Sequence, residues 1–257
     1  MYVMPLAVSP VAGPRRPTIV FSLAAGVGFA LIAGCGGAAK PAELPDVPVQ
    51  TVAPATVSRK APQVMQELGS IEPRDVDAAF RVIQGELLEC QKRGARRLEY
   101  LAGEVKFFIR INHEGQAKYV LLEESTLGDL ETESCMRAVV MKGHWPKPVA
   151  GEDAEAHKGF GFDVLDAREP SAWGPEKAVT PLAAQDKAIK ACLAGTKASF
   201  KVTLYVVPNG KDGRVEAAGV ATANHEGEAK SECVHGAVMK LRFPSPGSYA
   251  AKLSFSL

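Results

Sequence analysis

Apolar residues recur at three- and four-residue steps through Val76, Ala79, Phe80, Ile83, Leu87 and Cys90, which predicts one buried helical face. The period then falls to two. Val105, Phe107, Ile109 and Ile111 alternate with other residues and predict a half-buried strand. Asn112-His113-Glu114-Gly115 supplies a turn, and Ala117 to Glu123 reads as the returning strand. After Leu127-Gly128-Asp129, a second helix carries Cys135, Ala138, Val139 and Met141. The Trp145-Pro146-Lys147-Pro148 stretch ends it, because proline cannot continue a helix. A last strand is expected near Phe160-Gly161-Phe162-Asp163-Val164.

The same order returns downstream. Leu182, Ala188, Ile189 and Cys192 mark a helix, and Phe200, Val202, Leu204 and Val206 mark a strand. A turn over 208–213 leads to a strand from Val215 to Ala221, then a helix with Cys233, Ala237 and Met239, and a closing strand from Tyr249 to Leu257. A short motif locks the two copies in register. Cys135 is followed by Val140, Met141, Lys142, Trp145, Pro146 and Pro148, and Cys233 by Val238, Met239, Lys240, Phe243, Pro244 and Pro246, all at equal offsets. The reading is an α+β chain of two tandem small modules, 62–165 and 181–257, joined by a linker at 166–180. Each has the order α-β-β-α-β, with two helices on one face of a three-stranded antiparallel sheet. Asn-His-Glu-Gly occurs at 112–115 and 224–227, but out of register, so it is not part of the repeat.

The N-terminus changes the picture from fold to compartment. Arg15 and Arg16 precede an uncharged run from Thr18 to Gly34 that ends Leu31-Ile32-Ala33-Gly34-Cys35. A basic head, an apolar stretch and small residues before a cleavage point describe an export signal over 1–34. The segment resembles the lipobox of bacterial lipoproteins, which implies lipid attachment at Cys35; the competing reading is a single transmembrane anchor. Residues 35–61 then form a Pro/Ala-rich tether, with Pro41, Pro45, Pro48 and Pro54 in no helical or strand period. Removal of residues 1–34 takes away two arginines and no acid, moving the formal charge from +1 to −1. Nothing in that balance points to nucleic acid.

Apart from Cys35, four cysteines remain, two per module. An exported chain meets oxidising conditions, and the repeat then pairs Cys90 with Cys135 and Cys192 with Cys233. Closing a loop of about 45 residues stabilises by about 4 kcal/mol in the chain-entropy account. Free buried thiols and a metal site are the alternatives, and the metal reading lacks a second cysteine at ligand spacing or a histidine cluster. His113, His144, His157, His225 and His235 are scattered and read as solvated. Glu123 and Glu124 sit on adjacent strand positions, so their carboxylates do not converge. Arg93, Arg96 and Arg97 read as a small basic loop. No phosphate loop, nucleophile elbow or HExxH motif occurs. No catalytic residue, metal or small-molecule cofactor is therefore assigned.

Gly69-Ser70-Ile71 before the first helix, Gly103-Glu104-Val105 opening the first strand, then Ser125-Thr126-Leu127, Cys135 and Trp145-Pro146 carry a family resemblance. Their order resembles the C-terminal domain of AgmX/PglI-type gliding-motility proteins, itself similar to the TonB C-terminal domain, over about residues 64–165. Gln91-Lys92 stands where that family usually has tyrosine and an acid, Trp145 replaces the commoner phenylalanine, and the second copy lacks the Ser-Thr-Leu stretch. The resemblance implies TonB C-terminal-like modules in a non-enzymatic protein–protein interaction protein of the envelope, in a motility or energy-coupling assembly. Together with Cys35 it implies a periplasm-facing chain anchored in a membrane by its lipid, with the outer membrane favoured because Gly36, not aspartate, follows. The partner would be an envelope protein. The alternative is a peptidoglycan- or polysaccharide-binding protein or an envelope enzyme.

Overall fold

The computed structural model describes residues 68–257. The segment read as an export signal, Cys35 and the segment read as a tether fall outside these residues. Helix α1 (Pro73–Ala95) starts with proline in its first turn, carries Asp75 there and Lys92 and Arg93 in its last turn, and so matches the helix dipole at both ends. It buries Val76, Phe80, Ile83, Leu87 and Cys90 as the spacing predicts, but runs on to Ala95. The extra turn is possible because Gly94 faces α2 (Leu130–Lys142): a Cβ there would lie 2.1 Å from Thr132 Oγ1. Asp129 caps α2, its carboxylate accepting from the Thr132 N–H at 3.0 Å.

Strands β1 (Gly103–Asn112), β2 (Ala117–Ser125) and β3 (Asp153–Phe162) form an antiparallel sheet in the order β2-β1-β3. β1 turns Val105, Phe107, Ile109 and Ile111 inward. There Phe80 meets Trp145 edge-on at 4.8 Å and Phe160 at 5.2 Å. β3 begins earlier than its aromatics suggest. Ala154 and Ala156 are the buried apolar positions of its first half, and these carry too weak an apolar signal to mark a strand.

The second half repeats the order of elements and adds to it. β5 (Lys201–Asn209), β6 (Asp212–Ala221) and β8 (Ala251–Ser256) lie in the order β6-β5-β8, with α4 (Asp186–Leu193) before them and α5 (His225–Val238) between β6 and β8. Two corrections to the sequence reading follow. The second sheet has five strands, not three: with β4 (Ser171–Trp173) and β7 (Arg242–Pro244) added, the order is β4-β8-β5-β6-β7. The stretch read as a linker at 166–180 supplies β4 (Ser171–Trp173), parallel to β8, followed by a 3₁₀ turn (Pro175–Ala178) and α3 (Val179–Ala184). Pro170 and Pro175 flank the three pairing residues instead of interrupting them. The aromatic-proline motif itself forms β7 (Arg242–Pro244), an edge strand where a missing N–H is tolerated. In the first half the same motif makes one bridge, with the Trp145 N–H donating to Gly115 O at 3.0 Å. Gly115 has φ +82°, and a Cβ there would meet Trp145 O at 2.4 Å, so glycine is required twice over.

Both cysteine pairs are disulfides. Cys90–Cys135 joins α1 to α2 with Cα atoms 5.8 Å apart, and Cys192–Cys233 joins α4 to α5 at 5.5 Å. The halves also share a core. Val202, Leu204 and Val206 face the second half's own helices, while Tyr205, Ala217, Ala221 and Ala250 pack with the first half's apolar cluster.

Candidate functional site

Several residues take up places that the pattern alone misassigns. Arg93 lies in the last turn of α1 and Arg97 in the turn after it; both are exposed but bonded. Arg93 ends α1 with its guanidinium on the disulfide, 2.6 Å from Cys135 Sγ. Arg97 bonds Asp129 at 2.6 Å and Glu131 at 3.2 Å, clamping the end of α1 to the start of α2. His235 is half-buried, and burial draws its pKa down. Met141, expected on a core face, is 42% exposed. Glu123 and Glu124 serve different bases: Glu123 pairs with Lys106 and His157, both at 3.1 Å, and Glu124 pairs with Lys201 at 3.0 Å. The Lys201 ammonium holds the Glu124 carboxyl below its ordinary value. Among the described residues, no group of three or more His, Cys, Asp or Glu side chains could hold a metal ion. None of their helices is long and apolar enough to cross a membrane.

The outer side of β3 is an open strand edge. β1 pairs with it along its whole length. On the other side, pairing stops at Asp153, whose carbonyl accepts from the Gly69 N–H at 2.7 Å. From Ala154 to Phe162 no further backbone bond is made on that side among the described residues. Charged side chains usually guard such an edge. Here each is folded back onto its own body: Glu155 to Arg110 at 2.6 Å, His157 to Glu123 at 3.1 Å, and Lys158 to Asp77 at 2.7 Å. Gly159 and Gly161 leave the solvent face of the edge bare, and a Cβ on Gly161 would meet nothing within 4 Å. Beside them runs a groove of about 340 Å³, bordered by Glu104, Lys106, Glu124 and Thr126. Unpaired donors and acceptors next to an empty groove can take an extended chain, with side chains seated over the glycines.

The opposite edge of the same sheet is met by the second half. The Thr222 N–H donates to Leu122 O at 2.8 Å, so β2 and β6 meet. Where they part, Glu133 fills the gap and is 1% exposed. Its Oε1 accepts from Ser125 Oγ at 2.6 Å and from the Gly128 N–H at 3.2 Å. Oε2 lies over Gly219, where a Cβ would stand 2.5 Å away, and has no hydrogen-bond partner. Burial raises the Glu133 pKa; Ser125 and the Gly128 and Val220 N–H groups oppose the shift, although Val220 is not aligned to bond Oε2. A cleft of about 460 Å³ opens beside it, spanned by the Arg137–Glu228 ion pair. On the far side of the halves' contact, Ala102 O accepts from Tyr205 Oη at 3.0 Å and from Lys252 Nζ at 2.6 Å. Burial pushes Lys252 down to about 8 and Tyr100, its ring tilted against Tyr205 at 5.0 Å, up to about 12.

The missed features had partial signals. Ala217-Ala218-Gly219-Val220-Ala221 is an unbroken small or apolar run, which marks a strand covered on both faces. No residue type announces Glu133, which differs from Glu131 only in direction around the helix. No family model matches this chain, and no curated protein or solved structure matches it either.

Proposed function

We propose that this chain is a non-enzymatic, lipid-anchored envelope protein that docks another protein by strand addition at β3. The observation that carries the reading is the open edge from Ala154 to Phe162, flanked by the glycine groove, with its charged side chains turned away. In this reading Cys35 holds the chain in a membrane facing the periplasm, the outer membrane before the inner, and residues 36–61 space the folded part from the bilayer at about 3.1 Å per residue. The folded part is a duplicated module of the AgmX/PglI-type, TonB C-terminal-like kind. Support comes from the recurring α-β-β-α-β order, the strand orders β2-β1-β3 and β6-β5-β8, the two equivalent disulfides and the aromatic-proline segment returning to each hairpin. Such a protein would serve in a motility or energy-coupling assembly.

The two parts are tested separately. Labelled fatty acid should enter the wild-type chain and not Cys35→Ala; equal labelling of both ends the lipoprotein reading. Crosslinking in intact cells, followed by identification of the captured polypeptide, should return an envelope protein. Capture of none, together with retention of the purified chain on cell-wall polymer, would replace protein docking with polymer binding.

A further inference from the structure

We infer that Cys90–Cys135 is a thiol-exchange site, opened by a low-molecular-weight thiol that carries carboxylates, while Cys192–Cys233 is purely structural. The two disulfides are equivalent in topology but not in surroundings. Arg93 lies with its guanidinium 2.6 Å from Cys135 Sγ and 3.6 Å from Cys90 Sγ. Two of its basic neighbours are paired, Lys92 with Glu89 at 2.7 Å and Arg97 with Asp129 and Glu131. Arg93 has no carboxylate partner among the described residues. A pocket of about 150 Å³ opens at this point, lined by Cys90, Cys135, Arg93, Arg97, Thr132 and Glu131, the last paired with Arg97. Nothing of the kind surrounds the second pair, where no basic side chain is bonded to either sulfur among the described residues.

The arrangement supplies what exchange requires: an accessible sulfur, a cation to draw the incoming anion, and the same cation to stabilise the departing one. Cys135 is partly exposed and Cys90 is buried, so attack falls on Cys135. The incoming thiolate forms a bond to Cys135 Sγ as the Cys90–Cys135 bond breaks. Cys90 leaves with the electron pair as a thiolate beside Arg93. A second equivalent of thiolate then attacks the sulfur of the small molecule in the mixed disulfide. It releases Cys135 as a thiolate and leaves the small molecule as its own disulfide. The protein ends with two reduced cysteines and the co-reactant has lost two electrons. Opening need not unfold this half, because the Arg97–Asp129 clamp and the close Gly94–Thr132 contact still hold α1 against α2.

The test uses the full oxidised chain, with reduced glutathione as the anionic thiol and 2-mercaptoethanol as the neutral one, compared at equal thiolate concentration. Samples are quenched by alkylation, and peptide mass spectrometry follows each disulfide separately. Cys90–Cys135 should open first, although Cys233 is the more exposed cysteine, and faster with glutathione than with mercaptoethanol. Arg93→Gln should slow that opening by roughly threefold to tenfold, Arg93→Lys should restore most of it, and Cys192–Cys233 should keep its rate throughout. An unchanged rate in Arg93→Gln overturns the inference. So does a faster opening of both disulfides in that variant, which would make Arg93 a brace for the helix pair.

Discussion

Replacing Glu133 with glutamine should alter the pH dependence of stability more than stability itself. The carboxyl is buried and its pKa is raised above the ordinary 4.5. The unfolded chain therefore loses this proton at lower pH than the folded one. Between the two values the folded state holds more protons, so wild-type stability falls as pH rises, by up to about 1.4 kcal/mol per pH unit. The penalty is absent below the unfolded value and complete above the folded one. Glutamine keeps an acceptor for Ser125 Oγ and the Gly128 N–H, but places an amide donor where Oε2 now has no partner, at about 1–3 kcal/mol. At pH 4.5 the variant should thus be the less stable. The difference should shrink as pH rises, then reverse if the slope outweighs the orphaned donor. Asp153, held below its ordinary value by Lys118 and Arg110, slopes the other way at acid pH, and subtracting variant from wild type cancels it. Urea unfolding of the disulfide-intact chain at four pH values from 4.5 to 7.5 measures this. A wild-type-minus-variant difference that stays flat across the range would refute a raised Glu133.

Other substitutions probe the packing. Gly94→Ala should cost about 1–3 kcal/mol, because its Cβ meets Thr132 and Leu101, whereas Gly85→Ala, with nothing within 4 Å, should stabilise by up to about 1 kcal/mol; thermal unfolding of the pair separates contact from propensity. Trp145→Ala should cost about 3–5 kcal/mol by urea titration, through loss of its edge contact with Phe80 and its indole bond to Val140 O at 3.2 Å. The double substitution Cys192→Ala, Cys233→Ala should cost about 4 kcal/mol, since the bridge closes a 41-residue separation, and non-reducing unfolding should show it.

What the sequence reveals and what it hides divide along physical lines. Val105 to Ile111 and the helical face from Val76 to Cys90 are legible because each element has one buried side, and a single period reports one side. β5 shows the limit. Its alternation at Val202, Leu204 and Val206 is correct, but Thr203 and Tyr205 are buried too, against the first half. A threonine and a tyrosine between apolar residues do not say which face is covered. β4 is invisible because only Trp173 of its three residues packs on the core, and Ser171-Ala172-Trp173 is too short to show a period. The open side of β3 can be named in general terms from a small sheet, but which edge stays open depends on β6 covering β2, a tertiary fact. Glu133 is hidden for the same reason: its burial is made by Gly219 and Val220, far away in sequence.

The claim that β3 takes a partner strand is tested most directly by position-specific photo-crosslinking in intact cells. A photoreactive residue is placed at His157 or Gly161 on the edge, and at Gln84 on the exposed face of α1 as the reference. The account predicts discrete adducts to one envelope protein from both β3 positions and none from position 84. The same adducts from all three positions, or from position 84 alone, would contradict it.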